Sequence, residues 1–262
     1  MNNTVLAGKN ALVCGSSRGI GKAIAIALAD MGATITLTAR NEDALLEAIG
    51  ELDVSQGQKH DFILADFSKP ADLEELIKHQ LKDTTYQVLV NNTGGPPAGS
   101  IIDAKPEQFV SAFSNHLICN HLLATALLPG MKQSNYGRII NVISTSVKIP
   151  LRGLGVSNTI RGAVASWSKT LANELAPFGI TVNNILPGAT NTERLHEIIK
   201  NKAQKTGRSI DMVAEEMLDE IPMQRFADPS EIAAAAAFLA SPAASYITGI
   251  NIPVDGGRTG SL

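Results

Sequence analysis

Short apolar runs alternate with amphipathic segments along almost the whole chain. Seven apolar runs have the composition of buried strands, and they lie at residues 10–14, 34–38, 61–65, 87–90, 138–143, 180–186 and 249–254. Between them, apolar residues recur at helical spacing over residues 19–32, 42–52, 70–82, 106–128, 155–176, 192–220 and 229–239. The pattern therefore predicts an α/β protein in which strands and helices take turns.

The strands are expected to form one mostly parallel sheet that is covered by helices on both faces. Unbroken apolar runs such as 88–90 suit strands that are buried on both sides. Strand–helix alternation implies right-handed βαβ units and a doubly wound, Rossmann-type architecture of seven strands. Pro253 cannot donate to a strand ladder, so the last strand is expected at an edge of the sheet.

No linker or internal repeat divides the sequence, so residues 1–262 are interpreted as one dinucleotide-binding domain. Within it, the helical excursion near 190–222 carries two apolar stripes, separated at Gly207. The stripes suit ordinary packing, or they line a substrate pocket, because ligands bind beyond the carboxyl ends of such strands. We therefore treat this segment as a candidate substrate-side helical lid.

Composition narrows the range of partners. The chain has 262 residues, 44% of them hydrophobic, and a net charge of −3, which predicts neither nucleic-acid binding nor attraction to an anionic membrane. No apolar run approaches the length of a membrane span. Cys14 and Cys119 are interpreted as reduced core residues, which predicts a cytoplasmic location. No Cys/His group has metal-ligand spacing, so no metal is expected.

The segment 11–21 has the strongest chemical signal in the sequence. A strand-like run leads into glycines at 15, 19 and 21, and a helical pattern follows. In such a turn, backbone N–H groups can approach an anion, and the helix N-terminus adds a partial positive charge. The spacing Gly-x3-Gly-x-Gly fits the general dinucleotide fingerprint only loosely, and a merely tight turn is the structural alternative.

Charge near the second strand indicates which dinucleotide is bound. An acid at the end of that strand would hold the ribose hydroxyls of NAD, whereas an arginine accommodates the 2′-phosphate of NADP. Here the strand at 34–38 is followed by Arg40 with no acid, and Arg18 lies in the glycine loop. Although both arginines could be solvated surface residues, the sequence favours NADP(H) over NAD(H).

Nearly the whole chain resembles the short-chain dehydrogenase/reductase family, and within it the bacterial 3-oxoacyl-acyl-carrier-protein reductases. The glycine loop at 14–21, the Asn-Asn-Thr-Gly segment at 91–94, the Pro-Gly segment at 187–192 and the tail at 248–257 all match family motifs in order. Asp66 matches the acid that binds the adenine amine in the family. The resemblance implies that the cofactor is held by Gly15, Ser17, Arg18, Gly19, Ile20, Gly21, Arg40, Asp66, Phe67, Asn92, Thr93, Gly94, Arg161, Pro187, Gly188 and Thr192.

The catalytic positions depart from the family set of Asn, Ser, Tyr and Lys. Ser144 occupies the position of the family's serine. Ser157 stands where the tyrosine is expected, Arg161 replaces the lysine, and His116 falls at the asparagine position. None of Tyr86, Tyr136 and Tyr246 is followed by a lysine four residues later, so no other register restores the motif.

These replacements predict an altered reaction site. A serine hydroxyl is a far weaker acid than a phenol of pKa about 10, so Ser144 and Ser157 are expected to hold a substrate oxygen by hydrogen bonds. Arg161 stays charged and can clasp the nicotinamide ribose. His116 normally titrates near neutrality and is the candidate general acid, although a buried, helix-packing histidine is an equally simple interpretation.

Three functions remain open from the sequence. The favoured one is NADP(H)-dependent reduction of a carbonyl to an alcohol, with a small-molecule or acyl-thioester substrate. The second is an NADP(H)-binding sensor or scaffold protein that has lost catalysis, and the third is an elimination or hydrolysis by Ser144, Ser157 and His116. The third lacks a carboxylate to orient the histidine. The resemblance also implies a homodimer or homotetramer that pairs the two long helices and the last strand.

Overall fold

A computed structural model describes residues 4–81 and 84–261 of the chain. Its strands are β1 (Asn10–Cys14), β2 (Thr34–Ala39), β3 (Asp61–Leu64), β4 (Val88–Asn91), β5 (Gly137–Val142), β6 (Ile180–Pro187) and β7 (Asn251–Val254). Its α-helices are α1 (Gly19–Asp30), α2 (Glu42–Gly50), α3 (Pro70–Leu76), α4 (Pro106–Phe113), α5 (Cys119–Gln133), α6 (Gly155–Leu175), α7 (Glu193–Thr206), α8 (Ile210–Asp219) and α9 (Pro229–Ala240). Turns of π-helix follow α3 at Ile77–Leu81 and α4 at Ser114–Ile118.

All seven strands form one parallel sheet in the order β3-β2-β1-β4-β5-β6-β7. The predicted doubly wound architecture is therefore confirmed. The strand order reverses between β1 and β4, and this switch point opens a crevice at the carboxyl ends of the strands. Strand β7, which contains Pro253, lies at the edge as predicted, so its missing N–H interrupts no second ladder.

The side chains of each strand alternate between two apolar layers. In β1, Ala11 and Val13 belong to a layer shared with α1, α2 and α9. Leu12 and Cys14 point the other way, into a layer shared with α3, α5 and α6. Because both faces are covered, β1 is buried from Ala11 to Cys14, and this stretch is continuously apolar.

A row of asparagine amides crosses the second half of the sheet. Asn91, Asn141, Asn184 and Asn251 are in register on β4 to β7. Each amide nitrogen donates to the next amide oxygen, over 2.8, 2.9 and 2.8 Å. A slip of one residue would leave buried amides without partners, so this ladder stabilises the register next to the reaction site.

The predicted long helix at 106–128 differs from the structure. The segment contains a π-helical turn between α4 and α5, and α5 continues through Pro129 to Gln133. Leu127 and Met131 are buried on this last stretch, and their burial offsets the hydrogen bond that Pro129 removes, a loss of about 3 kcal/mol. The helix predicted at 70–82 ends as a π-turn at Leu81, and residue 82 lies outside the described residues.

The predicted helical excursion consists of α7 and α8, which pack against each other through their apolar stripes. Leu195, Ile199 and Val213 form the centre of this small cluster. Within 4–81 and 84–261, no helix combines the length and apolarity that crossing a membrane requires. The same residues contain no group of three or more His, Cys, Asp or Glu side chains arranged to bind a metal.

Candidate active site

The glycine loop between β1 and α1 is packed so tightly that side chains are excluded. A β-carbon on Gly21 would lie 2.2 Å from the carbonyl oxygen of Gly15. A β-carbon on Gly15, where φ is +58°, would lie 2.4 Å from the carbonyl oxygen of Asn92. The loop is therefore held against β4 at the switch point of the sheet, and glycine is required at both positions.

Backbone amides at the start of α1 are available to a ligand. The N-cap residue Arg18 is extended and its side chain makes no capping hydrogen bond, and the first turn has no acidic residue. A helix N-terminus of this kind suits a phosphate. Ser16, which the sequence analysis did not single out, supports the loop: its hydroxyl donates to Val13 O over 2.8 Å and accepts from Thr38 N over 2.9 Å.

The two arginines proposed for the 2′-phosphate lie at the surface. Arg18 forms an ion pair with Glu193 at the start of α7, and both side chains are largely exposed. Arg40 is exposed after β2, and its charge contributes to lowering the pKa of Asp66. The larger cause of that lowered pKa is the backbone N–H of Ser68, which donates to the Asp66 carboxylate over 3.0 Å.

The segment after β4 joins the glycine loop to the reaction side. Asn92 Nδ2 donates to Gly15 O over 3.1 Å, and a β-carbon on Gly94 would meet open space. Across the crevice, Thr192 Cγ2 would lie 3.4 Å from a β-carbon on Gly19. A β-carbon on Gly188 would meet Asp255 at 2.7 Å, so the Pro187-Gly188 segment packs tightly against the tail.

Apart from Arg161 on α6, the predicted cofactor residues therefore follow the carboxyl ends of β1, β2, β3, β4 and β6, at one edge of the sheet. Ser17 and Ile20 complete the loop, and Phe67 follows Asp66 with its carbonyl accepting from Cys119 Sγ over 3.3 Å. Cys119 is a buried free thiol, and burial raises its pKa to about 11. Cys14 is also buried and free, and its pKa is raised by the same cause, so neither thiol is activated.

Arg161 lies on α6 at the centre of the reaction side. It is buried, and its Nη1 donates to Val142 O over 3.0 Å while Nη2 donates to Thr93 O over 3.5 Å. Burial, together with the nearby charge of Arg194, lowers its pKa to about 10. The guanidinium therefore stays charged at neutral pH, as predicted, and carries positive charge into the site.

His116 is placed at the site, but its protonation differs from the prediction. It lies in the π-turn between α4 and α5, is 2% exposed, and its Nδ1 is 2.5 Å from Thr93 Oγ1. Burial, and then the charges of Arg161 and Arg194, lower its pKa to about 3. The expectation that His116 titrates near neutrality is thus wrong, because two cations and a dry environment disfavour the imidazolium.

The two predicted catalytic serines, Ser144 and Ser157, lie after β5 and at the start of α6. Ser144 caps a short 3₁₀ turn after β5, and its hydroxyl accepts from Ser146 N over 3.1 Å. Ser157 is half-buried in the first turn of α6, one turn before Arg161. Among the described residues, neither hydroxyl forms a hydrogen bond with His116 or Arg161. Both are therefore available to a substrate oxygen.

A cleft of about 360 Å³ opens beside His116. Its walls come from the loop after β4, from α4 with the following π-turn, and from the start of α6: Gly94, Gly95, Pro96, Pro97, Glu107, Gln108, Ser111, Ala112, Asn115, His116 and Val156. Arg194 of α7 closes one side by donating to Gly95 O over 3.1 Å and to Pro96 O over 3.3 Å. Arg194 is not predictable from the sequence, because a lone arginine in an exposed helix is indistinguishable from a solvated one.

Known proteins resemble this chain over nearly its whole length. The sequence model of a family described as enoyl-(acyl carrier protein) reductase matches residues 15–259. The chain is 32% identical to the NADPH-dependent reductase BacG of Bacillus subtilis, covering 97% of this chain and 99% of that protein. It is 35% identical to the 3-oxoacyl-[acyl-carrier-protein] reductase FabG of Vibrio cholerae, covering 96% of this chain and 98% of that protein.

The fold agrees with the same relationship. The crystal structure of L-sorbose reductase from Gluconobacter frateurii, complexed with NADPH and L-sorbose, superimposes with a TM-score of 0.92 at 32% identity and covers 100% of both chains. The family match, the identities and the glycine loop at the switch point together lead to one assignment. The chain belongs to the short-chain dehydrogenase/reductase family of oxidoreductases.

Proposed function

We propose that the protein is an NADP(H)-dependent reductase that converts a ketone, either a 3-oxoacyl thioester-like compound or another carbonyl compound, into an alcohol. The observation that carries the proposal is the crevice at the switch point, with its glycine loop and the uncapped N-terminus of α1. The names of the relatives support it, since BacG is an NADPH-dependent reductase and L-sorbose reductase was crystallised with NADPH.

The residues around the crevice fit the parts of NADP(H). The amides of Gly19 and its neighbours suit the diphosphate, and Arg18 and Arg40 suit the 2′-phosphate. The ion pair between Arg18 and Glu193 is exposed and worth at most about 1 kcal/mol, so a phosphate can displace the glutamate. When bound, the cofactor supplies a hydride to the carbonyl carbon.

The remaining residues act on the carbonyl oxygen. Ser144 and Ser157 donate hydrogen bonds to it, and the charge of Arg161 stabilises the alkoxide that forms. Ser157 passes its hydroxyl proton to the alkoxide and recovers a proton from water, so one hydride and one proton are added overall. His116 is neutral and serves as a hydrogen-bonding group anchored by Thr93, not as an imidazolium acid.

In this proposal α7 and α8 form the substrate-side lid. Arg194 reaches from α7 to the loop after β4, which joins the lid to the wall of the cleft. Thr192, at the start of α7, lies next to the glycine loop, since its Cγ2 would be 3.4 Å from a β-carbon on Gly19. The lid therefore touches the cofactor crevice and the substrate cleft at once, which lets binding in one place affect the other.

Cofactor titration and a ketone screen test the proposal. We expect NADPH to bind more tightly than NADH in a fluorescence titration, and NADPH to be oxidised with at least one member of a panel of 3-oxoacyl thioesters, free ketones, quinones and aldehydes. Failure to bind either nucleotide would refute the proposal. Tight NADPH binding without turnover on the whole panel would instead favour an NADP(H)-binding protein that has lost catalysis.

That second function has its own supporting observation. The positions of the family's tyrosine and lysine hold Ser157 and Arg161, and neither side chain is an acid near neutral pH. The variant His116→Ala helps to separate the two functions: turnover is expected to fall strongly while NADPH affinity is unchanged. Unchanged turnover in this variant would end the proposal that His116 acts on the substrate.

We also propose that the protein assembles as a homodimer or homotetramer in a reducing compartment. Exposed apolar residues on the long helices and beside β7 supply surface for such contacts, among them Val110, Phe113 and Phe238. Light scattering coupled to gel filtration tests the assembly. A mass near 27.6 kDa at micromolar concentration would contradict it.

A further inference from the structure

Two guanidinium groups meet at the wall of the cleft. A β-carbon built on Gly95 would lie 2.8 Å from Nη2 of Arg194 and 3.5 Å from Nη2 of Arg161. The two arginines come from different elements, α7 and α6, and the glycine between them leaves room for both. Each one lies close enough to His116 for its charge to disfavour the protonated imidazole.

No carboxylate of the described chain pairs with these two cations. Arg18, Arg208, Arg225 and Arg258 all form ion pairs with glutamates, whereas no ion pair within 4–81 and 84–261 includes Arg161 or Arg194. The negative charge of Glu197 tends to raise the pKa of Arg194, but the two side chains form no ion pair. Glu107 lies in the wall of the cleft at an exposed position. The positive charge at Gly95 is therefore offset in part by the field of Glu197, and no ion pair within the described residues neutralises it.

The hydrogen-bonding capacity of both groups is also largely unused. Each guanidinium has five N–H donors, and the contacts to protein acceptors are Val142 O and Thr93 O for Arg161, and Gly95 O and Pro96 O for Arg194. The buried cation of Arg161 lies beside the cation of Arg194, and the charge of Arg194 disfavours the charged form of Arg161. An anion between them would remove the repulsion and satisfy the free donors.

We propose that the ketone substrate is an oxo acid, with its carboxylate bound by Arg194 under the added charge of Arg161. The proposal rests on the reductase function and specifies its substrate class. A carboxylate matches the fork of an arginine in a bidentate arrangement, which an ester, an amide or a thioester cannot reproduce. The cleft volume of about 360 Å³ suits a small acid.

Matched acid and ester pairs test this inference. The probes are 2-oxobutanoate, acetoacetate and 4-oxopentanoate, each compared with its methyl ester, so that the distance from ketone to carboxylate is varied as well. We expect kcat/KM for at least one acid to exceed that of its ester by about 100-fold in the unaltered protein. Arg194→Gln is expected to lower kcat/KM for that acid by about 100-fold and to bring the acid-to-ester ratio near one.

Three further variants separate recognition from structure. Arg194→Lys keeps the charge without the fork and is expected to retain part of the preference for the acid. Gly95→Ala displaces the Arg194 side chain by its new β-carbon, so it is expected to reduce the preference without removing the arginine. Lys200→Gln removes a positive charge from an exposed position on the same helix, and it should leave the ratio unchanged.

Several outcomes would overturn the inference while the reductase function stands. These are equal rates with acids and esters, or a preference for the acetoacetyl thioester of N-acetylcysteamine over acetoacetate. Weaker NADPH binding by Arg194→Gln, equal in size to the loss of acid turnover, would assign the arginine to the cofactor. If no ketone is turned over, the three oxo acids are titrated into the NADPH complex and their binding is measured by calorimetry. Absence of binding by all three acids refutes the oxo-acid site.

Discussion

The glycine loop and the cleft beside His116 lie at the same edge of the sheet, yet they are built in different ways. The loop is backbone packed on backbone, with contacts that leave no room for a β-carbon at Gly15 or Gly21. The cleft is lined largely by side chains, and the two arginines that meet beside it at Gly95 form no ion pair within the described chain. A binding surface made of backbone tolerates few substitutions, whereas side-chain chemistry can change without altering the fold.

The largest expected effect concerns the glycine loop, which is packed through backbone atoms. Gly21→Ala places a methyl group 2.2 Å from Gly15 O, so the loop must move and NADPH binding should weaken by at least roughly 100-fold. Fluorescence titration measures the loss. Gly50→Ala is the matched control, because nothing lies within 4 Å of its added β-carbon, and wild-type affinity is expected. Similar affinities for both variants would show that the tight packing is not required.

The asparagine ladder connects the region of the glycine loop with the reaction side. Asn91 precedes Asn92, which contacts the loop, and Asn141 lies three residues before Ser144. Asn141→Ala removes the hydrogen-bond partner of the buried Asn91 amide nitrogen and of the buried Asn184 amide oxygen, and should lower the free energy of unfolding by about 3 kcal/mol. Urea denaturation measures the change. Asn173→Ala, at an exposed position on α6, is the control and should change stability little. An equal loss in both variants would remove the ladder's role.

The next effect in size concerns a charge near the glycine loop, at Arg40, and tests the choice between NADPH and NADH. Arg40→Asp replaces a cation near Asp66 by a second acid and should reduce the preference for NADPH over NADH roughly 30-fold. The ratio of the two dissociation constants reports it. Lys59→Asp makes the same charge change at another exposed position, before β3, and should leave the ratio unaltered. A ratio unaffected by Arg40→Asp would contradict the assignment of the 2′-phosphate.

The smallest expected effect concerns the cleft, where His116 makes the stability of the protein depend on pH. The folded pKa of His116 is about 3, below its ordinary value of 6.5, so beneath pH 6.5 the unfolded chain takes up a proton that the folded chain does not. The stability that depends on a neutral His116 is fully present above pH 6.5. As the pH falls below this value, the free energy of unfolding decreases by up to about 1.4 kcal/mol per pH unit. Between pH 7.5 and 5.5, His116→Asn should therefore lose about 1 kcal/mol less stability than the unaltered protein. Parallel losses in the two proteins would place His116 in a wetter site.

Much of the fold followed from local patterns. Residues 11–14 and 88–90 are continuously apolar because both faces of the sheet are covered there, and such runs are visible in sequence. The π-turn at Ser114–Ile118 and the continuation of α5 through Pro129 were not predicted. Both depend on which side chains are buried, and Pro129 ordinarily indicates the end of a helix.

For the site, motif spacing predicted a set of cofactor residues and showed the departures at His116, Ser157 and Arg161. Spacing could not supply the pKa of His116, because that value depends on burial and on two cations from α6 and α7. Nor could it identify Arg194, which is distant in sequence from the Gly95 carbonyl that it contacts.

The amino-acid sequence by itself determined the order of strands and helices, the glycine loop and the family, because these depend on residues close together in the chain. Only the tertiary structure decided the electrostatics of the reaction side. Charge and desolvation act through space, so a neutral His116 and two neighbouring arginines without an ion pair in the described chain arise only when α6, α7 and the loop after β4 meet.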